Sequence, residues 1–175
     1  MRGFQFVVLT ALLSSSLTLR AADPFLGKWV LDVQRSKYPA GTRPKQMTIE
    51  ISAAGHGVHY HSETQLTNGR SVSADYTAGY DGKPVVVLGA RGILLPVSLQ
   101  RTAPNTVVAT YTSGFQVVAT SRKVVSASGR IMTVTTTSRD ASGKNGTNVG
   151  VYRKENAQAG SFDLSGIRTD LLVPK

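Results

Sequence analysis

Cysteine is absent from the 175-residue chain. That excludes disulfides, thiolate metal ligands and a thiol nucleophile, so stability has to come from packing and backbone hydrogen bonds. Acidic residues are few, 10 against 20 Lys and Arg, for a formal net charge of +10. The cations are scattered, however, and no run of them alternates with aromatics, which excludes the basic, aromatic-lined surface expected for nucleic acid. A diffuse positive field suits solubility first, then anionic ligands or an anionic envelope surface. Gly-x-Ser-x-Gly and phosphate-loop motifs are missing. Asp32, Glu50, Glu63, Asp75 and Asp81 are too dispersed to form an acid–base pair by spacing. The expectation is a protein that is not an enzyme and carries no cofactor.

One apolar run is present. Arg2 precedes a largely apolar stretch from Phe4 to Leu19, and Ala21-Ala22 follows. Positive start, short apolar core and small exit residues predict a secretory signal over residues 1–22, with a periplasmic or secreted product. Nothing later approaches a membrane span, so no stable membrane insertion is expected once the signal is removed.

What remains is rich in Val, Thr, Ser and Gly, which favours strands and turns. Met47, Ile49 and Ile51 alternate with Thr48, Glu50 and Ser52. Val72, Ala74, Tyr76, Ala78 and Tyr80 alternate with Ser71, Ser73, Asp75 and Thr77. Turn signals recur at Gly55-His56-Gly57, Asn68-Gly69, Asp81-Gly82, Pro104-Asn105, Ser113-Gly114, Ser128-Gly129 and Ser142-Gly143. Residues 33–45 form a loop, and residues 88–95 an apolar loop. The pattern predicts about ten strands joined by tight turns, an up-and-down antiparallel meander. A meander this long removes its edges by closing, so the fold class expected is all-β, a closed barrel of about 8–10 strands over residues 23–154. A two-layer sandwich is the structural alternative. Residues 155–175 lose the alternation and are expected to be a tail, disordered or docking by a short turn.

Gly27-Lys28-Trp29, at the head of the first strand, resembles the Gly-x-Trp signature of lipocalins and related calycin barrels. The stretch from Asp23 to Asp32, the loop Ser36-Lys37-Tyr38, Tyr80-Asp81-Gly82-Lys83, Met132 to Thr135 and Val151-Tyr152 together resemble small exported bacterial proteins described as lipocalin-like. The resemblance implies a barrel that Gly27 and Trp29 close at one end, with Arg153 stacked on the indole. It also implies a small hydrophobic or amphipathic ligand, including anionic ones, in the lumen. Two departures stand out. Lipocalins have eight strands, and fatty-acid-binding proteins have ten but insert two helices after the first, for which residues 33–45 are too short and too rich in Pro and Gly.

Tyr60, Tyr76, Tyr80, Tyr111 and Phe115 share strand faces with aliphatic residues and are the candidate lumen-lining set. The opposing possibility is a barrel filled with side chains, an interaction module acting through its basic loops. His59 and His61, two apart on one strand with Glu63 beyond, have a spacing that zinc sites use, and a single histidine can hold haem. With no complete ligand set, no metal is assigned and a polar strand face is the simpler reading. Ile93-Leu94-Leu95 is either a rim for ligand, membrane or partner, or a tip folded onto the wall.

Overall fold

The structure is a computed structural model and describes residues 22–139 and 142–155. The signal and tail expectations therefore fall, but for Ala22 and Glu155, outside the described residues. Within them lie ten strands: β1 (Gly27–Leu31), β2 (Pro44–Ala54), β3 (Gly57–Leu66), β4 (Ser71–Gly79), β5 (Asp81–Gly89), β6 (Gly92–Ala103), β7 (Thr106–Ser113), β8 (Gln116–Val125), β9 (Ile131–Arg139) and β10 (Asn145–Lys154). Every sequential pair is antiparallel, and β1 also pairs with β10, so the sheet closes into a barrel. Closure satisfies both edges, which an open ten-stranded meander would leave exposed.

The alternation that marks the strands also sorts their side chains. Ile49 and Ile51, Tyr76 and Ala78, Val107 and Ala109, and Met132 and Val134 all point inward and are buried. The lower half of the lumen is packed solid around Trp29, which is wholly buried between Lys154 of β10 and Ile49 of β2. Beneath it, residues 23–26 turn across the barrel end and place Phe25, 1% exposed, as a plug. The indole Nε1 donates to the Phe25 carbonyl at 2.9 Å, so burial leaves no orphaned donor. Gly27 is required by its backbone: its φ of 122° lies in the left-handed region, and a Cβ there would also press on the movable end of Lys154, 2.9 Å from Cε. Gly57 is required by contact alone, since its Cβ would fall 2.1 Å from the Ala78 carbonyl oxygen on β4.

Arg153 does not stack on the indole. It lies on the outer face of β10, where its Nε and Nη2 donate to Asp32 Oδ2 at 2.9 and 2.6 Å. Tyr152 and Lys154 take the inward positions, because neighbours on a strand face opposite ways. The Lys154 ammonium lies 5.0 Å from the Trp29 ring centroid and donates to the Pro24 carbonyl at 3.3 Å. Lys154 thus does the job expected of Arg153, while Arg153 ties the same seam from outside.

The connection from β1 to β2 holds no helix. It runs beside β10, exchanging hydrogen bonds of 2.8 Å between Lys37 and Val149, with the Val151 amide donating to Ser36 Oγ at 2.9 Å. Residues 88–95 are not a loop. They form the upper ends of β5 and β6, paired as Leu88 with Ile93 and Gly89 with Gly92.

Replacing Trp29 with Ala should cost about 3–5 kcal/mol, the usual range for emptying a buried aromatic site. Urea unfolding followed by circular dichroism measures it, and a loss within 1 kcal/mol of wild type would show that the indole does not close the barrel.

Candidate functional site: the upper lumen

Above the packed half the lumen opens into a cavity of about 420 Å3. Its wall is mostly apolar, with Met47, Val72, Ala74, Val87, Leu94 and Leu95 facing in. Its floor is hydroxylic. Tyr60 and Tyr76 are directly paired across β3 and β4 and stack with ring centroids 4.7 Å apart. Tyr111 on β7 and Ser62 on β3 complete the floor. Burial pushes the phenols of Tyr60, Tyr76 and Tyr111 above their ordinary range, so all three stay neutral hydroxyl donors at neutral pH. Ser62 near Tyr60 and Ser121 near Tyr111 work against that rise, and Ser121 Oγ is itself 2.7 Å from Thr136 Oγ1. The Tyr76 hydroxyl has no partner, although Tyr76 is only 4% exposed. A buried unpaired hydroxyl costs about 1–3 kcal/mol; Tyr76 borders the cavity, but its oxygen is closed off from solvent.

Lys123 lies one layer lower. It is 5% exposed, and its ammonium sits 4.4 Å from the Tyr60 ring centroid. Around it are Phe25, Ile51, Val58, Leu99 and Val107, with a void of about 10 Å3, room for at most one water. Tyr60 separates that void from the cavity above and borders both. No carboxylate pairs with Lys123 among the described residues. Burial pushes its ammonium down to about 8. The sequence does contain the clue. Ser121, Lys123 and Val125 have one parity on β8, and all three face inward. Read among scattered cations, Lys123 passed as a surface charge.

The five candidate aromatics separate. Tyr60, Tyr76 and Tyr111 meet at the cavity floor. Tyr80 does not join them, because it lies at the turn between β4 and β5, at the plugged end. There its hydroxyl donates to Asp23 Oδ2 at 3.1 Å, and Arg101, which also donates to that oxygen, lies 4.0 Å over its ring. A cleft of about 600 Å3 surrounds this cluster, in which Asp23, Tyr80, Arg101 and the Pro104 carbonyl are engaged with one another. Phe115 is fully exposed and contacts no lumen. Tyr111 pairs with Ala119 and Thr112 with Val117, so one extra residue bulges from β8. A bulge flips the faces beyond it, which sends Val117 and Phe115 outward.

His59 and His61 face outward and share one carboxylate. His59 Nε2 is 3.1 Å from Asp75 Oδ1, and His61 Nδ1 is 3.1 Å from Asp75 Oδ2. Burial works to raise the Asp75 pKa, but the hydrogen bonds from His61 and His59 outweigh it and leave the carboxyl below its usual range. Glu63 stands off at 3.7 Å from His61. Among the described residues no three His, Asp or Glu side chains are arranged to hold a metal ion.

The wall is thinnest beside this cluster. β4 and β5 are in register at the single pair Asp75 and Leu88. A polar depression of about 400 Å3 on the outside shares Thr64, Val72 and Ser73 with the cavity. The two hollows thus share a stretch of the β3 and β4 wall.

Comparison with solved structures gives the same architecture. The zebrafish ileal bile acid-binding protein complexed with cholic acid superposes with a TM-score of 0.52 at 14% identity, over 75% of this chain and 99% of that one. The Schistosoma mansoni fatty acid binding protein in complex with arachidonic acid gives 0.54 at 16%, over 75% and 96%. The fold is a closed ten-stranded antiparallel barrel, like that of these two proteins. No family model matches the sequence, and no curated protein matches it. At such identities the likeness speaks for the fold alone.

Lys123 destabilises the folded chain at neutral pH. The unfolded lysine titrates at its ordinary 10.5 and the folded one at about 8. Below pH 8 both states are charged and the folded state bears the full burial penalty. Between the two values the unfolded chain binds the extra proton, so stability rises with pH. Replacing Lys123 with Met should therefore stabilise the protein at pH 7 by about 1–3 kcal/mol, the desolvation penalty less the contact with Tyr60. The gain should fade towards pH 10.5. Urea midpoints of both proteins across that range test it, and a destabilised variant would mean that Lys123 is a structural cation.

Proposed function

We propose that this protein is an exported, lipocalin-like carrier, periplasmic or secreted, that holds a small amphipathic ligand with an acidic head in its upper lumen. The observation that carries this reading is a cavity whose wall is apolar and whose floor is hydroxylic, with one buried hydroxyl, that of Tyr76, left unpartnered. The head lies on Tyr60, Tyr76 and Tyr111, and the chain runs up past Val87, Leu94 and Leu95. Lys123 supplies a positive potential from behind Tyr60. It polarises the Tyr60 hydroxyl and favours an anion over a neutral head.

Two further points support the reading. A cavity of about 420 Å3 falls in the range of small-molecule sites, about 300–1,000 Å3. Both superposed proteins carry amphipathic carboxylic acids, cholic and arachidonic. In this reading the protein binds rather than catalyses, and the floor of Tyr60, Tyr76, Tyr111 and Ser62 offers hydroxyls suited to a polar head.

Titration with 11-(dansylamino)undecanoic acid tests it. We expect saturable one-to-one binding, reversed by a saturated fatty acid of similar length. Ala74→Trp, which fills the cavity, should abolish it. Lys123→Met should weaken binding of the acid about ten-fold while leaving the corresponding alcohol unaffected, as expected for losing a charge interaction of about 1.4 kcal/mol. Absence of saturable binding, or binding indifferent to Ala74→Trp, would overturn the proposal.

A further inference from the structure

We infer that the open end of the barrel docks on an anionic phospholipid bilayer, with two hairpin tips inserting between headgroups and a basic rim resting on them. The exposed large hydrophobics of the described residues are not spread over the molecule. They lie on strands β4 to β8, and the most exposed are Ile93 at 75% and Phe115 at 107%. Ile93 follows the turn at residues 90–91, and Phe115 forms part of the turn between β7 and β8. Both turns follow strands running the same way, so they project from the same barrel end. Their hairpins are neighbours through the pairing of β6 with β7. Leu88 pairs with Ile93 beside the first tip, and Val117 lies beside the second; each is more than half exposed. Leu94 and Leu95 reach from this edge into the cavity wall, so the apolar surface is continuous with the lumen.

Charge selects the occupant. Apart from Phe115's turn, the described connections at this end carry cations: Arg35, Lys37 and Arg43 after β1, Arg70 after β3, and Arg91 after β5. None of these five makes an ion pair among the described residues. The carboxylate found in these connections among the described residues is Asp32, which is taken by Arg153. At the plugged end most cations are engaged: Asp23 pairs with Arg101, Glu155 with Lys28 and Asp81 with Lys83, and Arg130 is the cation of the β8–β9 connection without an ion pair among the described residues. An unpaired basic rim around apolar tips matches a negatively charged bilayer, which attracts each such cation and buries each tip. A second copy of the chain would set the two rims against each other, like charge facing like, and convex tips offer no flat face to share.

Because the chain has no cysteine, single labels report cleanly. In the full chain, Ser113→Cys places an environment-sensitive NBD dye beside Phe115, and Ala127→Cys places one at the plugged end. With phosphatidylcholine vesicles containing phosphatidylglycerol, the Ser113 dye should brighten and shift to the blue while the Ala127 dye stays unchanged. Pure phosphatidylcholine should give at least about ten-fold weaker binding, as should Arg70→Gln with Arg91→Gln, since each rim cation contributes on the order of a few-fold. Phe115→Ser with Ile93→Ser, two exposed changes that leave the core intact, should also abolish the shift. No response at Ser113 would overturn the inference, as would an equal response at Ala127, equal binding to neutral vesicles, or a Ser113 dye that becomes buried with rising protein concentration and no lipid, which identifies a second copy.

Discussion

Closure of β1 onto β10 is the constraint on which the rest depends. Those two strands meet at Trp29 and Lys154, and every contact that seals the lower end converges there. The indole fills the space, its N–H holds the Phe25 carbonyl, and the Lys154 ammonium covers its face while holding the carbonyl of Pro24. On the outer face, Arg153 and Asp32 clamp the same β1–β10 seam. Without this joint β1 and β10 become open edges and the lumen ceases to exist. Packing the lower half this tightly is what allows the upper half to stay open. The sealed end supplies the apolar burial that a cavity withholds.

Two polar groups run against stability within this frame. A cation without a carboxylate and a phenol without a partner are both buried, and both are expensive. Met and Phe would fit in their places with better energetics. In the proposed reading a ligand head at the cavity floor would offer the phenol a partner, while Lys123, screened by Tyr60, would act on that head through its potential alone. Ile93 and Phe115 contribute no burial to the fold as it stands, yet they crown the end that carries Arg35, Lys37, Arg43, Arg70 and Arg91 without ion pairs among the described residues.

Much of this was legible in the sequence. Alternation at Met47–Ile51 and Val72–Tyr80, and paired turn residues between the strands, led directly to ten strands and a closed meander. Trp29 declared its role by being the sole tryptophan at the head of the first strand. The failures have one physical source, which is that alternation reports a face only while the register is unbroken. The bulge in β8 after Tyr111 reverses the faces beyond it, so Phe115, placed in the lumen by parity, emerges outside. A second irregularity between Val85 and Val87 carries the strands through residues 88–95, where a run of apolar residues resembled a loop. Arg153 was assigned to the indole by resemblance, although its own neighbour Tyr152 faces inward and so excludes it. Lys123 was missed for the opposite reason. Its parity was right, but a lysine is expected in water.

The single indole also gives the most direct test of the sealed floor, because its fluorescence reports on one place only. Quenching by acrylamide should be compared in the free protein and with the lumen saturated by a fatty acid. A closed lower half leaves the indole shielded in both, with a quenching constant far below that of free tryptophan and unchanged by the ligand. Ready quenching in the free protein, or protection that appears only when ligand is added, would contradict a barrel sealed beneath its cavity.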